Sequence, residues 1–162
     1  MENIPKQKEV LISKEREELS ALEKEGNYVF HGTSEDVEEL VPQQAVDIET
    51  GPDRKPSIFA STTADFAIFH AIINGKNCHN VIAESGAVTH EDGSYELKFG
   101  LPRAALDNLP DSASGWVYVF DKKSFTPIEG RVVECESRRV AVPVKKIKVF
   151  KRDLPQYIEI LG

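Results

Sequence analysis

A histidine followed directly by a glycine and a hydroxyl residue, His31-Gly32-Thr33, puts an imidazole, open backbone and a side-chain hydroxyl at consecutive positions. Such a segment suits a ligand with sugar hydroxyls and a carboxamide. Far along the chain, Val133-Glu134-Cys135-Glu136-Ser137 alternates acidic residues with apolar or small ones. On a strand, Glu134 and Glu136 share one face and Val133, Cys135 and Ser137 the other, so both carboxylates can face one cleft. The plainer readings are a strand-end turn with an incidental histidine, and a solvated carboxylate pair near Arg138 and Arg139.

The elements that must hold these residues are legible as an α+β pattern. Lys8 to Glu25 is rich in Glu, Lys and Leu, with Val10, Leu11, Leu19 and Leu22 as a partial apolar stripe and Gly26 at a C-cap position. It is expected to be an N-terminal helix, residues 1–26, packed on a single domain of residues 27–162. Tyr28-Val29-Phe30 reads as a strand that Gly32-Thr33-Ser34 breaks, with one helical turn in the acidic stretch after it. Pro42 to Pro56 reads as a long loop carrying Arg54 and Lys55. Ser57 to Ser61 reads as a strand, and Thr62 or Thr63 as the cap of a helix through about Asn74. Later strands are expected at Val81 to Val88, Tyr95 to Phe99, Trp116 to Phe120, Arg131 to Ser137 and Lys145 to Lys151. A short helix at Pro102 to Leu109 and turns at Asp92-Gly93 and Glu129-Gly130 complete the pattern.

Composition narrows the functional classes. The 162 residues are 40% hydrophobic and 29% charged with a net charge of -7, a normal balance for one globular domain and an unfavourable field for a polyanion. Nucleic acid is not an expected partner. Cys78 and Cys135 are too few and too far apart for a disulfide framework, and Cys78, His79 and His90 lack zinc-site spacing, so no metal is expected. A charged N-terminus and the lack of a long apolar run predict no membrane segment and a cytoplasmic location.

Phe30-His31-Gly32-Thr33 resembles the first motif of histidine-type ADP-ribosyltransferases, the family that includes poly(ADP-ribose) polymerases and rifampicin-modifying transferases. Ile58 to Ala67 is similar to that family's second strand and the Ala-rich helix after it. Val133 to Ser137, followed by Val140 to Val149, is similar to its glutamate-bearing strand and the next one. The order matches over roughly Tyr28 to Phe150. The resemblance implies a split β-sheet sandwich with an N-terminal helix, and NAD as co-substrate. It implies transfer of ADP-ribose to an unknown protein or small-molecule acceptor, or hydrolysis of NAD.

On the matching positions, the resemblance implies that His31 bonds the adenine-side ribose, Gly32 holds the nicotinamide amide through its backbone and Thr33 supports the ribose region. Ser61-Thr62-Thr63 resembles the Ser-Thr-Ser motif of arginine-type toxins, which puts Ser61 in the cofactor site; a helix cap is the plainer reading. Glu134 is preferred as the catalytic residue, while the toxins' Glu-x-Glu pattern would choose Glu136. The tyrosine that stacks on nicotinamide in the polymerases falls at Ile58, so Phe59 or Phe69 is the aromatic residue left to replace it. Alternatives are a catalytically degenerate module binding a nucleotide or a protein, and an RNA 2′-phosphotransferase-like enzyme drawing arginines from Arg54, Arg103, Arg131, Arg138 and Arg139.

Overall fold

A computed structural model describes residues 12–43, 55–79 and 81–162. Among them the chain is mixed α+β, with three α-helices and two sheets whose strands pair mostly antiparallel. Lys8, Val10, Leu11, Gly51-Pro52-Asp53 and Arg54 lie outside the described residues. Helix α1 spans Lys14–Glu25, β1 Tyr28–Thr33, β2 Ile58–Ser61 and α2 Ala64–Ile72. Then come β3 Glu84–Thr89, β4 Tyr95–Pro102, α3 Arg103–Asn108 and β5 Ser114–Asp121. The chain finishes with β6 Thr126–Pro127, β7 Glu134–Ser137, β8 Lys145–Phe150 and β9 Glu159–Leu161.

The larger sheet has the order β6-β7-β2-β1-β5-β8, and the smaller one β3-β4-β9. Expectations for the stretch around Ser34 need correction, and the strands expected from Val81 and Arg131 begin only at Glu84 and Glu134. Gly32 and Thr33 do not break β1, because they stay in register with Val117 and Trp116 of β5. The acidic stretch after Ser34 holds no helical turn; instead Tyr118 ties it down as irregular chain, donating to the Glu35 carbonyl and accepting from the Val37 amide, both at 2.6 Å.

Alternation along β1 and β5 divides the core in two. Phe30, Val117 and Val119 face α2, in one cluster with Ala67, Ala71, Ile147 and Val149. Val29, Tyr118 and Phe120 face the other way, with Ile58, Ala60 and Cys135. Helix α2 lies unusually near the sheet. A Cβ on Gly32 would stand 1.8 Å from the Ala67 carbonyl oxygen, and one on Gly115 would stand 1.9 Å from that of Ala71. No side chain fits at either position, so these two glycines are required by packing, irrespective of their backbone angles.

Helix α1 then pins α2 in place. Ser13 caps α1, accepting from the Arg16 amide at 3.2 Å, and Gly26 closes it in the left-handed region at φ 74°. The expected threonine cap of α2 is replaced. Thr63 sits at the cap position, but its hydroxyl is bound to Ser61 Oγ at 3.0 Å, and Glu23 of α1 accepts from the Ala64 amide at 2.5 Å instead. Arg16 adds an ion pair to Asp65 at 2.5 Å. The other end of α1 is tied to the fully buried Asp153, which accepts from the Ser13 hydroxyl and, at 2.8 Å, from the Phe150 amide.

Gly32→Ala or Gly115→Ala should each lower stability by about 3 kcal/mol, the upper range for overpacking a filled core, as read by urea denaturation. Glu23→Ala should cost about 1 kcal/mol through the lost cap of α2, with Thr63→Ala costing less; the reverse order would show that Thr63 is the true cap.

Candidate functional site

Strands β1 and β2 share one registered pair, Phe30 with Ser61, whereas β1 and β5 share six. Across this short seam the His31 ring meets the Phe59 carbonyl through Nδ1. A carbonyl only accepts, so Nδ1 carries the proton and Nε2 is left as a lone-pair acceptor. Burial holds His31 below its ordinary pKa, opposed by the Phe59 bond and by Glu35, which keeps the ring neutral at neutral pH.

A cleft of about 420 Å³ follows the seam. Its lining draws His31 and Gly32 from β1, Phe59 and Ser61 from β2, Glu134 from β7, and Phe66, Ala67 and His70 from α2. Leu40, Val41 and Gln43 contribute from the segment after β1. The pairing of β2 with β7 sets Ser61 opposite Glu134 and Phe59 opposite Glu136. Five residues from the sequence reading therefore meet on one surface: His31, Gly32, Phe59, Ser61 and Glu134.

The other three lie elsewhere. Thr33 does not line the cleft, and its Oγ1 accepts from the Glu35 amide at 3.2 Å, a local turn that uses the hydroxyl. Phe69 is 1% exposed and packs on Phe99 with ring centroids 4.8 Å apart, because the helical period that brings Phe66 and His70 to the cleft turns Phe69 into the core. Glu136 shares the face of Glu134 as expected, Cys135 and Ser137 being buried behind them, but the two carboxylates do not share a cleft. Glu136 lines a separate groove with Arg138 and Arg139, and lies 3.7 Å from Arg138.

The geometry also brings in residues that the motifs did not mark. Arg131 lines the cleft, and its Nη1 sits 3.3 and 3.4 Å from the two oxygens of Glu134. Phe66 and His70 are one helical turn apart, with ring centroids at 4.9 Å, and His70 Nε2 lies 3.1 Å from Ser85 Oγ on β3. The signal for both was the i, i+4 spacing on α2, which places them on one face with Ala67. His70 is pushed down to about 4, chiefly by loss of hydration among its neighbours and secondarily by His31. The residue keeps an exposed edge toward solvent.

Cys135 has no part in nucleophilic chemistry: burial pushes its thiol up to about 12, and its Sγ donates to the Ala60 carbonyl at 3.4 Å. Among the described residues no three His, Cys, Asp or Glu side chains come together as a metal site, and no helix is long and apolar enough to cross a membrane. Compared with models of protein families, with curated proteins and with solved structures, the chain gives no match.

An unfolded His70 takes up a proton near 6.5, whereas the folded one resists until about 4. Between those values the unfolded state binds more protons, so stability is full above about pH 6.5 and falls as pH drops toward 4. Urea midpoints across that window should fall less in His70→Gln than in the parent, and an unchanged slope would show that His70 titrates normally.

Proposed function

We propose that the cleft binds NAD as co-substrate and that the chain is an ADP-ribosyltransferase-like enzyme built on that family's split-sheet sandwich. It would move ADP-ribose to an acceptor or to water. The observation that carries this reading is convergence: His31 with Gly32, Ser61 and Glu134 come from three segments distant in sequence and line one cleft.

The chemistry follows from the groups present. His31 offers Nε2, a fixed and neutral acceptor, to a ribose hydroxyl. Gly32 offers backbone to a carboxamide, and its lack of a side chain lets α2 close the wall behind it. The face of a planar ring can be met by Phe59 or Phe66, both in the lining, in place of the aromatic that Ile58 does not supply. As the bond from ribose C1′ to the nicotinamide nitrogen breaks, its electron pair leaves with nicotinamide and positive charge builds on the ribose. Glu134, bonded to a ribose hydroxyl, stabilises that charge. The acceptor then donates a lone pair to C1′ and loses its proton.

A second reading has its own support. Arg131 beside Glu134 places a cation where the reaction needs net negative charge, which favours a module that binds a nucleotide without cleaving it. Incubation with NAD labelled in the nicotinamide ring separates the two. The transferase reading expects release of label, reduced about 10²-fold or more in Glu134→Gln and little changed in Glu136→Gln, with weaker NAD binding in His31→Ala. Binding without release would favour the module, and absence of NAD binding would overturn both.

A further inference from the structure

Among the described residues, Arg131 and Glu134 are the only permanently charged cation and the only carboxylate in the cleft lining. Their side chains are 30% and 23% exposed, so the pair is shielded enough for its electrostatics to matter. Left as it stands, the guanidinium cancels much of the field by which Glu134 would stabilise a cationic ribose. The same guanidinium has donors to spare. Nη1 alone reaches Glu134, which leaves Nη2 and Nε without a partner among the described residues. The Nε–H and one Nη2–H lie side by side as a planar fork that matches two oxygens of a phosphate.

We propose that Arg131 is a specificity-determining switch: it reads the phosphate that a nucleotide carries beside its ribose, and in doing so restores the full charge of Glu134. This rests on the NAD reading of the cleft. A ribose bonded to Glu134 through a ring hydroxyl carries its 5′-phosphate within one sugar's width, where the fork of Arg131 can reach. The phosphate charge then balances the arginine, and Glu134 acts on the ribose as an unpaired anion. A nucleoside without phosphate leaves Arg131 on Glu134 and is cleaved slowly. The covalent step is unchanged: the C1′–N bond breaks toward nicotinamide, and water or another acceptor adds to C1′ and gives up a proton. Arg131 touches the phosphate and is itself neither acid nor base.

The test compares NAD with nicotinamide riboside, which has the same glycosidic bond and no phosphate, on the parent protein, Arg131→Gln and Arg131→Lys. The parent should turn over NAD at least about tenfold faster than the riboside, the loss expected when a charge-assisted contact is missing. In Arg131→Gln, KM for NAD should rise about tenfold or more while kcat on the riboside increases. Lysine, a point charge without the fork, should fall between. A structural role would lower both substrates together, and that parallel fall, or no change in either, overturns the proposal.

Titration with inorganic pyrophosphate separates this proposal from the reading beneath it. Binding by the parent that is lost in Arg131→Gln, without release of nicotinamide from either substrate, would uphold the anion site and sink the transferase reading. Equal pyrophosphate binding by parent and variant would sink the Arg131 proposal even if NAD is cleaved.

Discussion

The carbonyls of Ala67 and Ala71 occupy the space that side chains at Gly32 and Gly115 would need, at 1.8 and 1.9 Å from the Cβ positions. That close approach fixes the distance of α2 from two neighbouring strands, and with it the position of Phe66, Ala67 and His70 along the cleft. Any larger residue would push the helix outward and open the wall. The bonds from α1, Glu23 to the first turn of α2 and Arg16 to Asp65, hold the same helix from its other end. The site is therefore shaped by backbone contact first and by side-chain chemistry second.

Gly32 shows how one residue can answer to two demands. Beside a histidine it reads as open backbone for a ligand, and it does line the cleft. It is also the only residue type that the packing of α2 permits there. The glycine alone is thus no evidence of a ligand. What singles out the segment is the neighbouring His31, whose tautomer is set by the Phe59 carbonyl and whose neutrality is set by burial.

Much of the fold was legible in the sequence because its signals were local. The Gly26 cap, the Ala-rich face of α2 and the alternation in β7 and β8 all survive in the structure. Local signals also misled where tertiary contacts took over: pairing with β5 carries β1 through Gly32, and Glu23 does the work expected of a threonine cap. Strands β6 and β9, of 2 and 3 residues, are too short to give a periodic pattern. In the site, the face shared by Glu134 and Glu136 followed from strand period, but their separation into two clefts did not, since it depends on what covers each end of β7. Arg131 was visible only as one of several arginines until the fold set it on Glu134.

The central claim is that NAD occupies the seam between β1 and β2, and backbone amide chemical shifts followed by NMR during an NAD titration test it most directly. NAD bound there should give saturable shifts at His31, Gly32, Ser61 and Glu134, together with Ala67 and His70 of α2, and small ones at Thr33, Phe69 and Glu136. Shifts centred on Arg138 and Arg139 in the other groove, or none at all, would contradict it.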